Sequence, residues 1–306
     1  MSSLIEQAAR RLEQLRSAGI EVPIAQRSSL ANDRLPGEPP SAQASASSRE
    51  PAEIRSSRSV ELNFATLDAA GIVTPSAPRS HIADEYRVIK RPLISNAMGR
   101  GAAALAHGNL IMVTSAMAGE GKSFTSINLA MSIAAEMDHT VLLVDADVAR
   151  PSVLRMLGLP ESPGLLDLLE AKAQMHDVLL KTNIDKLSIL PSGTPHARAT
   201  ELLASDAMRL LLEDISRRYP DRIVIFDSPP LILTTEARVL ATQMGQVVLV
   251  VQADKTLQSD VQQALSNIEN CPVKMMLLNQ VRADTKGSYG YGYGYGHGYG
   301  GKKQVA

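Results

Sequence analysis

Apolar positions along this chain change their period several times, and each change predicts an element. Leu110-Ile111-Met112-Val113 is an unbroken apolar run, the pattern of a strand buried on both faces. Beyond it, Phe124, Ile127, Ala130, Met131 and Ala134 recur at helical spacing. Val141 to Val144 and Ile223 to Phe226 are further continuous strands, ending at Asp145 and Asp227. Leu187 to Leu190, closed by Pro191, Val247 to Val251 and Met275 to Leu278 complete the set. A helical pattern runs from Ala199 to Arg218 through Leu202, Leu203, Leu210, Leu211 and Ile215. Continuous strands separated by helices predict an α/β fold, a mostly parallel sheet covered by helices on both faces.

Before Leu110 the pattern is weaker. Ser3 to Ala18 predicts a short amphipathic helix, with capping-box spacing at Ser3 and Glu6 and a stop at Gly19. From Arg27 to Ser59 serine, proline, alanine and arginine dominate, too little apolar surface to fold, which predicts a disordered linker. Order returns near Val60 with Leu62, Phe64 and Leu67. A helix follows over Ile82 to Lys90, with Pro92 as its breaker. The expected organisation is therefore 1–26 helix and flank, 27–59 linker, 60–104 helical docking segment, 105–286 α/β domain and 287–306 tail.

Bulk properties narrow the partners. The formal net charge of −1 over 306 residues gives no electrostatic reason to expect nucleic acid or an anionic membrane. Cys271 is the one cysteine, so no internal disulfide forms and a buried apolar role is expected. The longest aliphatic run, Val247 to Val251, is far short of a membrane span. No signal-peptide pattern appears at the N-terminus, so a cytoplasmic location is expected.

The chemistry begins at Thr114 to Ser123, a glycine loop between a strand and a helix. Gly119 and Gly121 let backbone amides curl around phosphate oxygens, within a nucleotide-binding stretch from Ala118 through Glu120 to Phe124. Lys122 reaches the β- and γ-phosphates, and the Ser123 hydroxyl ligates Mg²⁺. Ala116 stands where the strict motif has its first glycine. Asp145, Asp147 and Asp227 fall at strand ends beside this loop. A carboxylate there holds Mg²⁺ through water or accepts a proton from an incoming hydroxyl; Asp145 and Asp147, on alternate positions, allow both jobs. Asn279 ends the last strand and is expected to hydrogen-bond the adenine edge. From Gly287 to Gly301 glycine alternates with tyrosine, and Tyr289, Tyr291, Tyr293, Tyr295 and Tyr299 belong to a total of 7 in the chain. Such a stretch predicts a flexible tether displaying phenols, or a sticky self-associating segment.

Thr114 to Ser123, Val141 to Pro151, Ile223 to Pro230 and the tyrosine-rich tail resemble the Walker A, A′ and B motifs and tyrosine cluster of bacterial tyrosine kinases. The whole pattern is most similar to the autokinases of exosortase-type polysaccharide loci. The resemblance implies a P-loop NTPase fold, ATP and Mg²⁺ as cofactors, and autophosphorylation of the five tail tyrosines between subunits. Carried onto this chain, Lys122, Asp145 and Asp147 are catalytic, with Asp145 the base, and Ser123, Asp147 and Asp227 support the metal. Asp84, Arg87 and Lys90 occupy the family's oligomerisation pattern, with Asp for Glu and Lys for the last Arg, and Ala149 stands where the A′ motif usually has arginine. Expected partners are further copies of the chain, a separate membrane-bound chain-length regulator that recruits it to the inner face of the plasma membrane, tyrosine substrates and a phosphatase. Exopolysaccharide synthesis and export is the implied process. Two other functions compete: a non-kinase ATPase switch of the partition or division-site type, and a nucleotide-regulated scaffold. The switch proteins carry a lysine where this chain has Met117 and lack a tyrosine tail, so both features favour the kinase.

Overall fold

The computed structural model describes residues 57–101, 105–219 and 221–281. The predicted N-terminal helix, nearly all of the linker and the glycine-tyrosine tail lie outside the described residues. The predicted linker ran to Ser59, but Ser59 is already a strand residue. In chain order the elements are β1 (Ser59–Val60), α1 (Phe64–Ala69), α2 (His81–Ala97), β2 (Leu110–Ser115), α3 (Lys122–Ala134) and β3 (Thr140–Asp145). Then come α4 (Val153–Met156), α5 (Leu165–Leu169), α6 (Met175–Val178), β4 (Leu180–Thr182), β5 (Leu187–Leu190), α7 (Ala199–Leu203) and α8 (Asp206–Arg218). The chain continues through β6 (Arg222–Asp227), α9 (Thr235–Ala241), β7 (Gln246–Gln252), α10 (Gln258–Ser266) and β8 (Val273–Asn279).

Among the described residues the strands form one 8-stranded sheet in the order β1-β4-β5-β3-β6-β2-β7-β8. Every pair is parallel except β4 with β5, so the mostly parallel sheet read from the apolar runs is present, with a reversed end. β6 lies between β3 and β2, and its register sets Asp227 opposite Asp145 on one side and Val113 on the other. Three chain segments therefore leave the sheet side by side at its carboxyl end.

Each central strand feeds two cores because its side chains alternate between faces. Met112, Leu142, Val144, Phe226 and Leu249 point to the face covered by α5, α7, α8, α9 and α10. Ile111, Val113, Leu143, Ile225 and Val250 point to the other, where α3 and the α1–α2 segment lie. The predicted docking segment is thus part of the domain: Leu62, Leu67, Tyr86 and Leu93 sit in that second core.

Two helix boundaries differ from the periodicity. Pro92 does not end its helix; α2 runs 17 residues, with Pro92 inside. The residue four back, Val88, whose carbonyl proline leaves without a donor, is 75% exposed and so lies on the solvent side of the helix, while Leu93 next to the proline is fully buried and pins the helix. The pattern read as one helix from Ala199 is broken at Ser205, whose hydroxyl accepts from the Met208 amide and starts α8.

Lys90 is the other correction. It is buried, bonds to the Ser132 carbonyl in the last turn of α3, and pairs with Glu136 at 2.7 Å. An ammonium held inside the domain is removed from the surface patch predicted for self-association, leaving Asp84 and Arg87, which pair with each other on the exposed side. Lys90→Ala is expected to lower unfolding free energy by about 2 kcal/mol, between the values for surface and fully buried pairs. The hydrogen bond from Lys90 holds the Glu136 carboxyl below its usual value. Its stabilisation is present above the ordinary glutamate range and is lost as pH falls through the native value. Denaturant midpoints of wild type and variant should stay apart near neutral pH and converge as pH falls below the ordinary glutamate range.

Candidate active site

The loop between β2 and α3 takes its shape from two left-handed glycines, Gly119 at φ 88° and Gly121 at φ 94°. A Cβ on Gly121 would sit 2.1 Å from the Asn279 amide nitrogen and displace that side chain, and the left-handed backbone strains any L residue there. Glu120 turns its side chain inward, where it accepts from the Met117 amide at 2.9 Å and from the Thr256 hydroxyl. These bonds curl the loop around the amino end of α3, whose first free amides face outward as an anion site. Asn279 was expected at adenine; its amide N–H donates to the Glu120 carbonyl at 2.9 Å, and its side-chain oxygen has no hydrogen bond among the described residues.

The predicted charged residues do converge. Lys122 Nζ lies 2.6 Å from Asp147 Oδ2, and Arg150 N donates to the other Asp147 oxygen at 3.2 Å. Asp145 ends β3 and is almost fully buried; its Oδ2 accepts from the Ser152 and Val153 amides at 3.1 and 3.0 Å, capping α4. Its Oδ1 is buried without a partner among the described residues. Burial first, then the neighbouring Asp227 charge, push the Asp145 carboxyl up to about 7, against the pull of the two amides. Asp227 is fully buried, accepts from Ser126 Oγ at 3.1 Å, and leaves Oδ2 without a partner. Burial raises it to about 6, opposed chiefly by the Lys122 charge.

These donors fit a magnesium ion. Ser123 Oγ, held at 2.8 Å by the Ser152 hydroxyl, and the orphaned Asp227 oxygen are hard oxygen ligands beside a phosphate loop. Among the described residues no group of three or more His, Cys, Asp or Glu side chains is placed to hold a metal; Mg²⁺ is usually bound through one or two carboxylates plus substrate phosphates. The cleft has a volume of about 610 Å³, and Ala118, Gly119, Lys122, Phe124, Asp147 and Arg150 line it. Pro229, Pro230 and Leu233, the turn after β6, close its far side.

Comparison with known proteins places this geometry. The family model described as an AAA domain matches residues 108–280. The tyrosine-protein kinase YwqD of Bacillus subtilis is 30% identical over 221 residues, covering 72% of this chain and 90% of that protein. The chain belongs to the bacterial tyrosine kinases. The tyrosine-protein kinase Ptk of Acinetobacter johnsonii is 33% identical over 184 residues, but this tyrosine kinase spans only 25% of that longer protein. Its fold matches the crystal structure of the chimerical protein CapA2B2 with a TM-score of 0.58 and 28% identity, over 72% of this chain and 93% of that one. Such kinases bind nucleotide in the P-loop described above.

Several residues of the kinase site escaped the sequence reading. Ser152 and Ser126 position Ser123 and Asp227, and Thr256 anchors the phosphate loop from the end of β7. Ser126 had a legible signal, four residues beyond Lys122 and so one helical turn along the same face. Ser152 and Thr256 had none, because their roles depend on the packing of strands distant in sequence. Ala149 lines the nucleotide cleft beside Arg150, as does Arg155 on α4. Among the described residues no helix is long and apolar enough to cross a membrane.

Proposed function

We propose that this kinase transfers the γ-phosphoryl group of ATP, with Mg²⁺, to tyrosines of its own C-terminal cluster, one copy acting on another. The reading rests on one observation above all: Lys122, Ser123, Asp147 and Asp227 meet at the ends of adjacent strands, with the orphaned oxygen of Asp145 beside them. Loop amides from Ala118 to Phe124 bind the phosphates, and Lys122 neutralises charge on the transferring group. Asn279 meets the adenine edge through its free oxygen. Ser123, Asp147 and Asp227 would hold Mg²⁺, which supplies further charge neutralisation when bound. The phenolic oxygen forms a bond to the γ-phosphorus as the bond from that phosphorus to the β,γ-bridging oxygen breaks; ADP leaves and Asp145 takes the phenolic proton. A carboxylate raised toward neutrality by burial is a better base for a phenol than an ordinary one.

The tail tyrosines Tyr289, Tyr291, Tyr293, Tyr295 and Tyr299 are the proposed acceptors. Asp84 and Arg87, exposed on α2, are the proposed self-association surface. A membrane-bound partner, a phosphatase and a role in exopolysaccharide export complete the reading, with the kinase recruited to the membrane from the cytoplasm. To test it, the purified chain is incubated with ATP and Mg²⁺ and phosphotyrosine is mapped by mass spectrometry. Phosphate on the tail cluster, abolished when all five positions become phenylalanine, is the expected result. ATP hydrolysis to ADP and free phosphate with no phosphotyrosine would instead establish the ATPase-switch function.

A further inference from the structure

Lys122 is not an unmatched charge. Its ammonium lies 2.6 Å from Asp147, so the two nearly cancel before any ligand arrives. The nucleotide cleft is positive all the same. Its lining holds three cations, Lys122, Arg150 and Arg155, against the single carboxylate of Asp147. The surplus is two arginines, a sign and size that suit a ligand with several phosphates. Arg155 has no ion-pair partner among the described residues, and nothing in the proposed phosphotransfer yet uses it.

The fold holds the base of Arg155 still. α4 is a single helical turn, too short to persist on its own, and it is fastened at both ends. At the amino end Asp145 Oδ2 accepts from the Ser152 and Val153 amides at 3.1 and 3.0 Å, and the Ser152 hydroxyl reaches Ser123 Oγ at 2.8 Å. At the carboxyl end Gly158 turns left-handed at φ 70°. Its amide donates to the Arg155 carbonyl at 3.2 Å, and the Leu159 amide to the Leu154 carbonyl at 2.9 Å, the paired bonds of a Schellman cap. Val153 and Leu157 are buried on the inner side, while Arg155 between them is exposed. A fixed backbone therefore presents an uncommitted guanidinium. Arg150 lacks this support, since it stands in the turn after Asp147.

Which phosphate it meets follows from the walls. The loop amides cradle the inner phosphates of a nucleotide, so the outermost one is left to the segments that follow β3 and β6. The segment after β6 lines the cleft with Pro229, Pro230, Leu233 and Thr234, and brings no charge. Positive charge comes only from the segment after β3. Arg155 is on the outer part of that segment, where it also borders a second cavity of about 820 Å³ between residues 159–163 and 192–195.

We infer that Arg155 binds the γ-phosphate of ATP and so distinguishes ATP from ADP. A guanidinium offers two parallel N–H donors to phosphate oxygens, a geometry that an ammonium cannot copy. Those donors stay on the equatorial oxygens while the phosphoryl group passes to its acceptor, where the charge is spread. The inference adds a residue to the proposed phosphotransfer and rests on that reading for its kinetic half alone.

The test uses the full chain with Mg²⁺, titrated calorimetrically with ADP and with the β,γ-imido analogue of ATP. Arg155→Gln is expected to weaken the ATP analogue by about tenfold or more, the loss of one charge-assisted contact, and to leave ADP affinity as it was. Single-turnover transfer from ATP to a short Gly-Tyr repeat peptide should slow by about 10²-fold. Arg155→Lys should recover part of both losses, because it keeps the charge and loses the fork. A thermal melt accompanies each protein; if Arg155→Gln is not folded, Arg155→Lys against wild type carries the comparison. Equal weakening of both nucleotides, or no change in either, overturns the inference and leaves the kinase reading standing. A wild-type chain that binds both nucleotides and never phosphorylates the peptide overturns the kinase reading, while the two titrations still decide Arg155.

Discussion

Replacing Lys122 with methionine is expected to slow phosphotyrosine formation by at least about 10²-fold. Methionine keeps the length and the apolar stem of lysine but carries no charge. In the native chain the ammonium is largely enclosed, 2.6 Å from Asp147, at the amino end of α3. Charge developing on the transferring phosphoryl group would find no fixed cation there, and water could replace it only at the free-energy cost of reorganising in a half-closed cleft. The fold should tolerate the change, since Asp147 keeps its bond from the Arg150 amide. The check is radiolabel transfer from ATP to tyrosine beside a thermal melt of each protein. A folded variant with near-native labelling would remove Lys122 from the chemistry.

Asp145→Asn carries the second large effect, and it separates two jobs of one side chain. The carboxamide oxygen can still accept the Ser152 and Val153 amides, so the cap on α4 survives. Removing a buried charge also relieves a burial cost, so the melting temperature of the nucleotide-free protein should not fall. What disappears is the ability to take a proton. The rate at saturating ATP and peptide should drop by about 10²- to 10⁴-fold, while nucleotide affinity changes little. Loss of ATP binding with an unchanged saturated rate would make Asp145 a metal or structural residue instead.

How much of this was legible follows from which interactions are local. The glycine loop was readable because its strand, turn and helix are contiguous, and Asp145 and Asp227 because each directly ends an apolar run, with Asp147 two positions on. β1 and β4, of 2 and 3 residues, carry no period and were missed. Lys90 was placed on the self-association surface because it occupies the family's oligomerisation pattern with Asp84 and Arg87; only the approach of α3 shows that its partner is Glu136, 46 positions away in the sequence. The second cavity was hidden for a similar reason. Its two walls come from segments on either side of α6 and β4, and nothing in either segment alone marks a binding site.

The clasp of Lys90 on α3 has a consequence for the whole site. α3 is a rod of 13 residues, about 20 Å long, with the phosphate loop at one end and Ser132 and Glu136 near the other. Its peptide dipoles add head to tail, which places partial positive charge toward bound phosphates and partial negative charge toward Lys90. Nucleotide at the front and ammonium at the back therefore complement the same macrodipole from opposite ends. The helix that carries the exposed Asp84 and Arg87 is thereby fastened to the rear of the helix that grips ATP. A force applied to α2 would therefore reach the phosphate loop along a single, polarised helix.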